Sequence, residues 1–222
     1  MHERPLPLAA ALSGLASIVL LFIGQAFGGG GSPDLNASRA TITDWLARQH
    51  ADAATYAGGT LELLGILAMV VFAATLWSVL RGGDDSDVFA ATAFGAGLVS
   101  AAVKLASGPA VFAAVWRHDE GLNPQLGAVL VDMNNVSFVL TWTIDAVMLA
   151  AAATVILRAN VLPRWLGWLA AATSVILIAS APAADLVPPV GILLTFVWIV
   201  GTSVVLTRRT LRPHARVAPA HA

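Results

Sequence analysis

Cysteine is wholly absent from the 222 residues, which excludes disulfides, thiolate catalysis and cysteine-ligated metals together. Charge is nearly as scarce. Only 11% of the residues are charged, against roughly a quarter in an ordinary soluble domain. Their balance of -1 presents no cationic surface to a polyanion, so no nucleic-acid partner is expected. The five histidines (His2, His50, His118, His214 and His221) fall in tails or expected loops, so no helix-borne pair exists to clamp a haem within a membrane. No H-E-x-x-H, G-x-S-x-G or P-loop pattern occurs. His118-Asp119-Glu120, with His50, offers a weak surface metal set, for which a solvated loop is the plainer reading. No cofactor, metal or catalytic residue is therefore expected, and a non-enzyme is favoured.

What the chain has in quantity is apolar surface. Hydrophobic residues make up 58% of it, too many to hide in one water-soluble core of this size. They fall in six runs, approximately 8–28, 57–80, 88–108, 130–157, 165–184 and 188–207, each near the ~20 residues that cross a ~30 Å hydrocarbon core. This predicts an all-α fold: one polytopic transmembrane helix bundle over 1–222, embedded in a lipid bilayer. The first run exceeds the roughly 7–15 residues of a signal peptide's apolar region, and Gly28 to Gly31 follow it in place of a small-x-small cleavage site. It reads as a retained helix. Pro188 and Pro189 cannot continue the fifth run but can open the sixth. Pro109 is expected to end the third run, or else to kink it, with Ala110 to Trp116 running above the membrane or folding back.

Arginine placement sets an orientation. With the N-terminus in the cytoplasm, Arg4, Arg81, Arg158, Arg164, Arg208, Arg209, Arg212 and Arg216 lie inside, and only Arg39, Arg48 and Arg117 outside. Trp77, Trp165 and Trp168 then mark the inner boundary and Trp116 the outer one. Both termini are expected in the cytoplasm. Between the first two spans, residues 36–56 place Ile42, Trp45, Leu46, Gln49 and Ala53 on one helical face, with Ser38 as N-cap. An extracytoplasmic amphipathic helix is expected there, lying on the leaflet or over the mouth of the bundle.

One helix, an outer amphipathic helix, a second helix, and then Leu162-Pro163-Arg164-Trp165-Leu166-Gly167-Trp168 opening the fifth span form an order that resembles a family of uncharacterised bacterial six-helix integral membrane proteins. The resemblance covers most of the chain. It implies the topology and a bacterial plasma membrane, which the Ala-, Val- and Gly-rich composition suits, and carries no agreed activity or catalytic residues.

Ionisable groups inside a membrane are costly, so each is a functional candidate. Glu62 and Lys104 are expected at similar depth in the outer leaflet. Lys104 shares a face with the small residues Ala93, Gly97, Ser100 and Gly108, which a close neighbour would contact. A buried Glu62–Lys104 ion pair is the favoured reading; a ligand or ion site, or snorkelling of Lys104 to the interface, stays open. On the fourth span, Asn134, Thr141 and Asp145 share a face, whereas Asp132 and Asn135 point elsewhere. Asp145 is expected near mid-membrane, where it must be protonated, paired across helices or facing water. The two aspartates and two amides could line an outward-open polar cavity. Two functions follow from these residues. The first is binding of a lipid-like or small apolar ligand, or of a membrane protein partner, without chemistry. The second is a small proton- or cation-coupled transporter or channel using Asp145. No internal repeat between the two halves supports the second. Nothing in the sequence fixes an oligomeric state. The arginine asymmetry yields a direct expectation: Ser38→Cys should react with an impermeant thiol reagent in intact cells and Thr210→Cys should not, and the opposite pattern would invert the topology.

Overall fold

Among residues 7–27, 33–34, 36–81, 87–180 and 189–211, which the computed structural model describes, the chain folds into seven α-helices with no strand. They are α1 (Leu8–Phe27), α2 (Arg39–Leu46), α3 (Ala53–Leu80), α4 (Asp87–His118), α5 (Pro124–Ala159), α6 (Arg164–Ser180) and α7 (Pro189–Leu211). Arg4, Arg212, Arg216, the terminal histidines, Gly28 to Gly31 and the break at 183–188 lie outside the described residues. Five helices (α1, α3, α4, α5 and α7) are long and apolar enough to cross a membrane, and α6 is a shorter apolar helix of 17 residues. The six-span expectation is thus corrected to five full spans and one short one. At 1.5 Å per residue α6 reaches about 25 Å, somewhat less than a ~30 Å core. The chain is a multi-pass membrane protein.

The helices close a circuit. α1 packs on α3 and α7, α3 on α4, α4 most extensively on α5, α5 on α6, and α6 on α7. Phe72, Leu76, Leu149, Ile156, Leu166 and Trp198 fill its centre. Lipid tails are as apolar as these side chains, so close backbone approach must do much of the holding. Glycines supply it. A Cβ at Gly24 of α1 would lie 2.8 Å from the Gly58 carbonyl oxygen of α3, and one at Gly97 of α4 would meet Ala73 of α3 at 3.1 Å and Met148 of α5 at 3.2 Å.

Pro109 does not end α4. The helix runs on through it to His118, and α5 begins at Pro124, six residues before the expected 130. The 32 and 36 residues of α4 and α5 give about 48 and 54 Å of helix, well beyond the hydrocarbon thickness. Pro124 sits at the first helical position, where its missing N–H costs nothing, and the Asn123 side chain accepts from the Gln125 N–H at 2.8 Å. Gly121, at φ 84°, turns one helix into the other.

The amphipathic segment is shorter than expected. α2 covers Arg39–Leu46 only, capped by Ser38, whose hydroxyl accepts from the Thr41 N–H at 3.1 Å. Gln49 falls past its end and Ala53 opens α3. Asp52 caps α3 by accepting from the Thr55 N–H at 2.9 Å, and this bond holds its carboxyl below the ordinary value of 3.8. Ile42 and Leu46 of α2 are buried against Ala114, Val115, Ala128 and Val131, so α2 straps the projecting ends of α4 and α5.

Residues 162–168 form the hinge of the α5–α6 hairpin. Asn160 adopts the left-handed conformation (φ 53°) that ends α5, and Leu162 is buried. A Cβ at Gly167 would lie 2.8 Å from the Leu157 side chain. From α7, Trp198 donates its indole N–H to the Leu166 carbonyl at 3.0 Å and Arg209 donates to the Val161 carbonyl at 2.6 Å. Two glycines test the packing argument. Gly24→Ala should destabilise the protein in detergent by about 1–3 kcal/mol, because its new methyl meets backbone that cannot swing away. Gly108→Ala, where a Cβ meets nothing within 4 Å, should be neutral or slightly stabilising.

Candidate polar site across α3, α4 and α5

Close contacts fix the relative heights of the three helices. Gly97 stands level with Ala73 and Met148, and Tyr56 of α3 meets Phe112 and Trp116 of α4 at ring-centroid distances of 5.3 and 5.5 Å. At the far end from α2, Arg81 lies over the Trp77 ring at 4.6 Å and Arg158 over Phe89 at 5.5 Å, marking one membrane boundary. A ~30 Å slab, about 20 helical residues, counted from Arg81, Phe89 and Arg158 reaches Glu62 on α3, Pro109 on α4 and Phe138 on α5. Asp132, Asn134 and Asn135 then lie beyond the hydrocarbon. Lys104 is about 8 Å inside it and Asp145 about 10 Å inside. Asp145 is therefore within about 5 Å of the middle of the membrane, on its α2 side, and Glu62 is at the α2-side boundary.

The direct Glu62–Lys104 ion pair does not form. Glu62 turns toward α1, where Gln25 donates to its Oε1 at 2.8 Å and its methylene packs at Gly24. Lys104 turns toward α5, with its Nζ 4.3 Å from the centroid of the Phe138 ring. Among the described residues the one ion pair joins Arg117, in the last turn of α4, to Glu120 in the turn that follows. Lys104 lies about 8 Å deeper than Glu62, and their directions around the helix axes differ. They remain within electrostatic reach of each other. Lys104 is also within reach of Asp145, whose carboxyl lies near Ser100 of α4. Glu62, Lys104 and Asp145, all half-buried, thus form a descending acid–base–acid series on three consecutive helices.

The series ends where packing tightens. One turn below Ser100, Gly97 presses on Ala73 and Met148. Of the face expected around Lys104, Ala93 and Gly97 are buried, whereas Gly108 is exposed with open space around it. Asn135 is buried and donates from Nδ2 to the Pro33 carbonyl at 2.8 Å, tying the segment before α2 onto α5. Thr141 bonds back to the Phe138 carbonyl at 2.7 Å. Asp132 and Asn134 are half-buried. The outer polar residues of α5 are therefore separate from the Lys104 series. Among the described residues no three His, Asp or Glu side chains gather as metal ligands would, and His118 is the last residue of α4.

Sequence reasoning missed Gln25, Ser100 near the Asp145 carboxyl, and the Phe138–Trp142 pair. Gln25 carried a signal, being an amide near the end of an apolar run. Phe138 and Trp142, four residues apart, meet edge-to-face at 5.3 Å, and Trp142 continues to Phe196 of α7 at 6.0 Å. The Trp142 indole nitrogen is buried without a hydrogen-bond partner. Comparison with known proteins gives one match: the family model described as "Domain of unknown function (DUF4386)" covers residues 9–207. No curated protein matches the chain, and no solved structure does. With the direct pair absent, a Glu62→Gln and Lys104→Met double-mutant cycle in detergent should show coupling of about 1 kcal/mol or less. A coupling of about 3–5 kcal/mol, as for a broken buried pair, would contradict this geometry.

Proposed function

We propose that this chain, which belongs to the DUF4386 family of domains of unknown function, is a non-enzymatic membrane protein that binds a lipid-like or small apolar ligand around Lys104. The supporting observation is the environment of that ammonium. It lies within the hydrocarbon slab, in no direct ion pair, beside a Phe138 ring that is 39% exposed. A cation so placed favours an occupant that combines an apolar body with a hydrogen-bond acceptor. The close contact of Gly97 with Ala73 and Met148 below the series suits holding a molecule better than passing one. In this reading both termini are cytoplasmic, the membrane is a bacterial plasma membrane, and the ligand enters from the outer leaflet.

A second reading, a proton- or cation-coupled transporter, draws support from Asp145, a carboxyl inside the slab with a hydroxyl and an ammonium nearby. Two measurements separate the readings. Solvent extraction and mass spectrometry of the purified protein should recover a co-purifying amphiphile that Lys104→Met reduces. Proteoliposomes with a trapped pH dye should show equal flux for wild type, Asp145→Asn and empty vesicles. Wild-type flux above empty vesicles, abolished by Asp145→Asn in a folded protein, would replace binding with transport. An empty extract with no flux would overturn both.

A further inference from the structure

An open groove lies on the surface of the bundle, away from the Lys104 series. It is a cavity of about 250 Å³ on α4, lined by Pro109, Phe112, Ala113, Trp116 and Arg117. The packing around it is loose. A Cβ at Gly108 would meet nothing within 4 Å, and one at Gly59 of α3 would touch only the Phe112 ring, at 3.9 Å. The two helices fit closely at Ala73 and Gly97, and toward α2 they meet instead through Gly59 and Tyr56 of α3 against the rings of Phe112 and Trp116. Tyr56, Phe112 and Trp116 back the groove with edge-to-face and tilted ring contacts.

Height decides what the groove meets. The hydrocarbon slab ends near Pro109 and the polar layer beyond it is about 5–8 Å deep, so Pro109 to Ala113 lies in the headgroup layer and the long Arg117 side chain can reach back into it. The lining suits that position, with apolar rings below and charge at the rim. The rim carries both signs. Arg117 gives one guanidinium nitrogen, Nη1, to Glu120, and both side chains are more than half exposed. The rest of the guanidinium fork has no protein partner among the described residues, and it matches a phosphate oxygen pair well. A purely anionic headgroup would pay repulsion from Glu120. One that also bears an ammonium group meets Glu120 and the face of Trp116 favourably.

We propose that this groove seats a zwitterionic phospholipid, its phosphate on Arg117, its ammonium toward Glu120 and Trp116, and its acyl chains descending past Phe112 and Pro109. The site is independent of the ligand reading at Lys104. The test uses full-length protein equilibrated with vesicles of equal parts phosphatidylethanolamine and phosphatidylglycerol, solubilised mildly, with retained lipid counted by native mass spectrometry. The wild type should retain the ethanolamine lipid preferentially. Arg117→Gln should lower its retention by about fivefold, the effect of losing one partly exposed charged contact. Glu120→Gln should erase the preference while leaving total lipid retention intact, and Lys104→Met should leave the preference unchanged. Equal retention of both lipids by the wild type, or unchanged retention and preference in Arg117→Gln and Glu120→Gln, would mean ordinary surrounding lipid only and would overturn the proposal.

Discussion

In hydrocarbon a helix gains nothing by hiding apolar side chains from its solvent, so the bundle depends on places where backbones come close enough to exchange dispersion contacts. Glycines provide several of these places. Gly24 and Gly65 bring α1 onto α3, and Gly97 brings α4 onto both α3 and α5. Where such contacts occur the helices are locked, and where they cease the fit loosens. The Gly97 contact therefore sets the depth at which the acid–base–acid series stops and beyond which α3 and α4 meet through aromatic rings. The polar side chains and the headgroup-level groove both lie on the loose side of that lock.

The spans were legible because a bilayer imposes one length on every segment that crosses it, and hydropathy reads that length directly. The ends were less legible. Pro109 reads as a terminator in the abstract, since it frees the Leu105 carbonyl and crowds the preceding turn. In place it falls at the edge of the hydrocarbon, where water or headgroups can serve that carbonyl, and α4 continues. The opening turns of α5 were missed for a related reason: past the membrane edge, hydropathy no longer marks helix. The α2 segment looked longer because Gln49 and Ala53 continue its spacing, yet Asp52 is better used as the cap of α3 than as one more turn of α2.

The candidate site was legible in composition and not in pairing. Glu62, Lys104 and Asp145 stood out because charge is expensive where they lie. Their partners depend on rotation about each helix axis and on which helix stands alongside, and neither is written in a run of apolar letters. Hence Glu62 meets Gln25 of α1, and Lys104 meets a ring of α5. Asn135 shows the same limit, because its amide is bound to a carbonyl 102 residues away.

The α5–α6 hinge has a consequence for biosynthesis. α6 is the shortest apolar helix, and the groups that fasten its beginning, Trp198 and Arg209, both belong to α7. A ribosome delivers α6 before either fastener exists. Until α7 arrives, α6 rests on its hairpin with α5 alone, held by the close fit of Gly167 against Leu157. The nascent chain therefore passes through a stage in which its weakest span is anchored on one side only. A stop codon between Ser180 and Trp198 would strand the protein there, making the last helix a quality-control checkpoint for those before it.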